Sequence, residues 1–117
     1  LITSPGDMLD IIAEAGYNVC DRVIIHENSF HSDFFDLRTG LAGEILQKFS
    51  NYRMRLAIVG DFTNVKSKSL GDFIRESNRG RTICFVTSVK EALDRLVRTF
   101  AKHVDVKRIE QIIRGRQ

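Results

Sequence analysis

Apolar and polar positions follow two periods along the chain, and their order predicts a fold built from helices and strands. Apolar residues recur at helical spacing in four stretches, each with capping or breaking residues at its ends. Between these stretches lie three short, nearly continuous apolar runs, which are typical of strands buried on both faces. These predicted strands are Val23 to Ile25, Arg55 to Gly60 and Thr82 to Thr87.

The first two predicted helices are marked by a start signal and by apolar stripes. Ser4 and Pro5 offer a cap followed by proline at a first helical position, and Gly16 ends that helix. The second helix ends near Asn51, and its apolar stripe is Leu41, Ile45, Leu46 and Phe49.

Two capping boxes predict the starts of the last two helices. Ser69 with Asp72 opens the third helix, and Asn78 and Gly80 stop it. Ser88 opens the fourth helix with Glu91 three residues later. The buried face expected for this helix is Ala92, Leu93, Leu96, Val97 and Phe100.

The order strand, helix, strand, helix, strand predicts parallel pairing through right-handed crossovers. We therefore expect an α/β fold with a small, open, mostly parallel sheet. If the strands pair in sequence order, both crossover helices cover one face, so the other face and the edge of the first strand need cover. Strands upstream of the present sequence, a protein partner or a homo-oligomer would supply it.

Composition places the chain among folded globular proteins. Hydrophobic residues make up 43% and charged residues 28%, far from the composition of disordered chains. No apolar run approaches the roughly 20 residues of a membrane-spanning helix, and no signal peptide is recognisable. We expect a cytoplasmic domain over residues 1–103, no membrane association, and reduced structural thiols at Cys20 and Cys84.

Positive charge is concentrated at the C-terminal end. Residues 90–117 hold eight Lys or Arg against four Asp or Glu, so this end accounts for the net charge of +3. Within residues 104–117, Val106, Ile109, Ile112 and Ile113 recur at helical spacing. The segment is expected to be a basic helix or tail that docks on the domain or a second chain. Weak nucleic-acid binding that is indifferent to sequence is the alternative.

Three segments carry a resemblance to a known family. FFDLRTGLAGEILQKFSNY (34 to 52), RLAIVGDF (55 to 62) and SKSLGDFIRESNRG (67 to 80) resemble the bacterial family called domain of unknown function 4180, over roughly residues 5 to 100. The resemblance implies no established activity. It implies additional N-terminal strand sequence, which this chain lacks. More remotely, the order of elements is similar to the STAS domain of anti-sigma-factor antagonists and sulfate transporters.

The STAS resemblance implies a candidate phosphoacceptor. In that fold a helix opens with an Asp-Ser-Ser-Gly motif whose second serine can be phosphorylated, and Asp36, Thr39 and Gly40 stand in a comparable place. One extra residue separates Asp36 from Thr39, which departs from the motif. The helix N-terminus favours an anion by itself, and ordinary capping by Thr39 is the structural alternative.

Polar residues that follow the strands form the second candidate site. Open parallel sheets bind ligands beyond the carboxyl ends of their strands, and the residues there are His26, Glu27, Gly60, Asp61, Thr87 and Ser88. Acid-base chemistry is one interpretation, and turn or cap roles are the other. No catalytic, nucleotide-binding or metal-ligand spacing is present, so no catalytic residue, metal or cofactor is predicted. The leading hypothesis is a non-enzymatic regulatory or protein-interaction module, and a small enzyme is the alternative.

Overall fold

A computed structural model of the chain describes residues 1–18 and 20–98, and within them helices pack on both faces of one sheet. The predictions for Phe100 and for residues 104–117 lie outside these residues. The strands are β1 (Arg22–His26), β2 (Arg55–Val59) and β3 (Ile83–Val86). The helices are α1 (Pro5–Tyr17), α2 (Leu41–Asn51), α3 (Lys68–Arg79) and α4 (Val89–Arg98).

The three strands form one parallel sheet in the order β1-β2-β3, which confirms the predicted α/β class and pairing. In its register, Ile24 lies opposite Ala57 and Ile58 lies opposite Phe85. The polar residues that follow the three strands are thereby brought together at the carboxyl-terminal end of the sheet.

One face of the sheet packs against α1, α2 and α3, so the two crossover helices α2 and α3 cover the same face, as expected. Val23 and Ile25 of β1 share this core with residues of β2, β3 and the three helices. The fully buried residues of this core include Met8, Ile45, Phe49, Leu56 and Ile58.

The expectation that the opposite face needs cover from outside is wrong for much of that face. Ala92 and Leu96 of α4 pack there against Ala57, Val59, Cys84 and Val86. The fourth helix follows the last strand and returns across the sheet, because its apolar stripe needs a surface to bury.

The N-caps of α1 and α4 agree with the sequence, whereas those of α2 and α3 differ. At α2 the N-cap is Gly40 rather than Thr39. Ser88 Oγ accepts a hydrogen bond from the Glu91 amide at 3.1 Å, as predicted. At α3 the cap is Ser67, whose Oγ accepts from the Leu70 amide at 3.2 Å, and Ser69 lies inside the first turn. Two serines two residues apart offer the same hydroxyl, and the sequence pattern alone does not separate them.

The connection from β1 to α2 contains three 3₁₀ turns, which the apolar pattern does not predict. They are Glu27–Ser29, Ser32–Phe35 and Leu37–Thr39. Phe34 is fully buried in this connection, and its ring centroid lies 4.4 Å from that of Phe30. None of the helices in the described residues is long and apolar enough to cross a membrane.

Candidate functional site

The carboxyl ends of the strands form an open pocket of about 420 Å³, here called the strand-end pocket. The sheet brings together five of the residues singled out in the sequence, with Val59 between them. The lining is His26, Glu27, Val59, Gly60, Asp61 and Thr87. Ser88 is adjacent in sequence but caps α4 rather than lining the pocket.

The Glu27 side chain bridges from β1 to the turn after β2. Its Oε1 accepts a hydrogen bond from the Asp61 amide at 3.2 Å. Its carboxyl group lies directly over Gly60, where an added Cβ would come within 2.5 Å of Glu27 Cδ. A side chain at position 60 would therefore have to displace the Glu27 carboxyl group.

His26 and Asp61 serve local turns. His26 Nδ1 accepts from the Asn28 amide at 3.1 Å, which leaves Nε2 as the N–H donor of the neutral ring. Asp61 Oδ1 accepts from the amide and the hydroxyl of Thr63, and these hydrogen bonds hold the pKa of Asp61 below its usual value. Both side chains therefore accept hydrogen bonds within local turns, which is the interpretation that the sequence offered beside acid-base chemistry.

The last polar group of the pocket is tied to α4. The Thr87 hydroxyl and amide both donate to Glu91 Oε2, at 2.7 and 3.2 Å, and they lower the pKa of that carboxyl. The described residues contain no group of three or more His, Cys, Asp or Glu side chains that could hold a metal ion.

The residues of the STAS-like motif do not line this pocket. Thr39 is exposed, and its Oγ1 lies 2.6 Å from the Asp33 carbonyl oxygen and accepts from the Leu41 amide at 3.3 Å. Gly40 precedes α2 with a φ of 78°, in the left-handed region that favours glycine. The Asp36 carboxylate accepts three hydrogen bonds from Arg38, two from the guanidinium and one from the amide, and they lower the pKa of Asp36.

The two edges of the sheet differ, which sequence reasoning missed. On β3, the side-chain amide of Asn78 bonds both backbone groups of Phe85, as a neighbouring strand would. The Phe85 amide donates to Asn78 Oδ1 at 2.7 Å, and Asn78 Nδ2 donates to the Phe85 carbonyl at 3.3 Å. In the sequence Asn78 reads only as a residue that stops a helix.

The outer edge of β1 is open. The Arg55 amide donates to the Asp21 carbonyl at 2.9 Å, and peptide groups of alternate residues face the same side of a strand. The Ile24 and His26 amides therefore face away from β2, and in the described part of the chain neither amide donates to another residue.

An open groove of about 500 Å³ runs beside this edge, here called the edge groove. Its walls come from α1 and from the first two residues of the chain. The lining is Leu1, Ile2, Asp7, Asp10, Ile11, Ile24, Ile25, His26 and Ser29. No periodicity in the sequence indicates it, because it depends on where the N-terminal residues cross the sheet.

A family model for a domain of unknown function, DUF4180, matches residues 1–96. The chain belongs to the DUF4180 family. This confirms the resemblance seen in the sequence, and the DUF4180 match spans every described strand. No curated protein and no solved structure matches the chain, so the likeness of this DUF4180 domain to the STAS fold stays a prediction.

Proposed function

We propose that this domain is a non-enzymatic protein-interaction module that binds an extended strand of a protein partner along the outer edge of β1. The observation that carries the proposal is the difference between the two sheet edges. Asn78 bonds the outward amide and carbonyl of Phe85 on β3, whereas the Ile24 and His26 amides on β1 face an open groove. Strand addition to an exposed edge is a common mode of peptide recognition.

The N-terminal residues support the proposal because they already use this side of the fold. Ile2 forms a parallel bridge with Phe30: its amide donates to the Ser29 carbonyl at 2.7 Å, and its carbonyl accepts from the His31 amide at 2.9 Å. Leu1 and Ile2 line the same groove as Ile24 and His26. A strand laid along β1 would continue the line that Ile2 begins.

The strand-end pocket supports a non-enzymatic role through the engagement of its polar groups. Glu27, Asp61 and Thr87 each form a hydrogen bond that fixes a turn or a helix start. A general acid or base must be within reach of a substrate proton, and each of these groups already has a hydrogen-bond partner within the fold. Loss of turnover of a small substrate on Asp61→Ala would contradict this interpretation.

The test uses two variants at one position. His26 has a φ of −76° and a ψ of 146°, which proline adopts without strain. His26→Pro therefore removes the imidazole and replaces the outward N–H by the ring Cδ, which cannot donate. His26→Ala loses the same imidazole and keeps the amide. The pair therefore isolates the backbone donor at the edge.

The probe is a capped neutral peptide, Thr-Val-Thr-Ile-Thr-Val, added to isotope-labelled protein while amide chemical shifts are followed. We expect saturable shifts at Ile24 and His26 in the wild type and at Ile24 in His26→Ala, and at least tenfold weaker binding to His26→Pro. An N-methylated peptide, which cannot pair, is the matched control. Equal binding to both variants, or none to the wild type, would overturn the proposal.

A further inference from the structure

We propose that the strand accepted by β1 is basic, with Lys or Arg alternating with aliphatic residues, and that Asp10 selects it. This inference rests on the proposed function and names the chemistry of the partner. It follows from the charges that line the edge groove.

The edge groove has an acidic, aliphatic wall. Asp7, Asp10 and Ile11 of α1 line it, and none of its described lining residues is Lys or Arg. The Asp7 carboxylate is used locally, because it accepts from the Thr3 amide at 2.9 Å and the Thr3 hydroxyl at 2.8 Å. Asp10 is exposed and is the carboxylate available to a ligand.

The geometry of a strand decides which residues of the partner would meet this wall. Successive side chains of an added strand point to opposite faces of the sheet. Every second side chain would therefore face α1, where Ile11 offers an apolar contact and Asp10 offers a charge. The intervening side chains would lie beside Ile24, which packs on the α4 side of the sheet.

Charge also distinguishes this partner from a second copy of the chain. Two copies paired edge to edge in antiparallel fashion are related by a two-fold axis normal to the sheet, which brings α1 next to its symmetry mate. Asp7 and Asp10 would then face the same carboxylates of the partner copy. A basic strand gains attraction where a second copy meets repulsion.

The test compares two capped peptides that share an apolar pattern, Lys-Val-Lys-Ile-Lys-Val and Glu-Val-Glu-Ile-Glu-Val, by the same amide titration. We expect the basic peptide to bind more tightly, with a preference that weakens as salt is raised. Asp10→Asn should weaken the basic peptide about two- to fivefold, as is typical of one exposed ion pair. Glu14→Gln is the matched control, because it removes a charge from α1 at a residue that does not line the groove.

The outcomes separate this inference from the proposed function. Equal binding of the two peptides, or an unchanged ratio in Asp10→Asn, would overturn the charge selection while His26→Pro still abolished binding. Binding that survives His26→Pro would overturn strand addition itself. A dimer of the wild type at micromolar concentration that is lost in His26→Pro would assign the edge to a second copy and overturn the basic partner.

Discussion

Replacement of Asn78 by alanine tests whether the β3 edge is closed by a side chain. Asn78 forms two hydrogen bonds with the backbone of Phe85, which is 4% exposed. Alanine removes both bonds and leaves a buried amide and a buried carbonyl without this partner. We expect the free energy of unfolding to fall and the edge to become available for pairing.

The size of the effect follows from the two bonds. A typical hydrogen bond contributes about 0.5–1.5 kcal/mol, so the pair accounts for about 1–3 kcal/mol. The higher helix propensity of alanine offsets about 0.6 kcal/mol of this in α3. The net loss of about 1–2 kcal/mol corresponds to a fall in Tm of about 5–15 °C for a domain of this size.

The assay is thermal and urea unfolding followed by circular dichroism, with Ser77→Ala as the control. Ser77 occupies the same turn of α3 and carries a similar change in helix propensity, and its side chain does not bond to Phe85. Asn78→Ala should also aggregate at lower concentration than Ser77→Ala, because a second edge is exposed. Equal melting of Asn78→Ala and wild type, within about 2 °C, would refute the closed edge.

Three further predictions concern the strand ends and the start of α2. Gly60→Ala should lower the free energy of unfolding by about 1 kcal/mol, because the new Cβ displaces the Glu27 carboxyl group. In a Glu27→Ala background the same substitution should be neutral or stabilising, and additive losses in a double-mutant cycle would contradict this. Glu91 has a lowered pKa when folded, so its contribution is present above its usual value of 4.5 and is lost as pH falls through the folded pKa. The Tm of Glu91→Gln should therefore fall less than that of the wild type as the pH is lowered below about 5. An equal fall in both proteins would contradict a stabilising role of the ionised Glu91 carboxylate. Thr39→Asp should change partner binding more than it changes Tm, because a carboxylate near a helix N-terminus is favourable. A pull-down in which Thr39→Asp and the wild type recover the same partners in the same amounts would count against a phosphorylation switch at Thr39.

The elements that could be predicted from the sequence are those whose signal is local. Val23 to Ile25 and Ile83 to Val86 are apolar at every position because the sheet is covered on both faces. Ser88 is followed by an apolar stripe at helical spacing, which fixes the start of α4. The carboxyl ends of parallel strands lie at the same end of the sheet, so His26, Glu27 and Asp61 could be expected to lie together.

The features that the sequence missed depend on contacts between distant residues. Asn78 has one local role, near the end of α3, and a second role on β3 that only the packing of α3 reveals. The edge groove exists because Ile2 bridges to Phe30, a pairing that no periodicity encodes. The cover of the second face by α4 follows from the direction in which the chain returns after β3.

Residue-specific amide hydrogen exchange tests the open β1 edge most directly. In the free domain, the Phe85 amide should be protected by Asn78, whereas the Ile24 and His26 amides should exchange at nearly the rate of an unstructured peptide. Adding the basic alternating peptide should slow exchange at Ile24 and His26 and leave Phe85 unchanged. Protection of Ile24 in the free monomer, or no gain of protection at saturating peptide, would contradict an edge that awaits a partner strand.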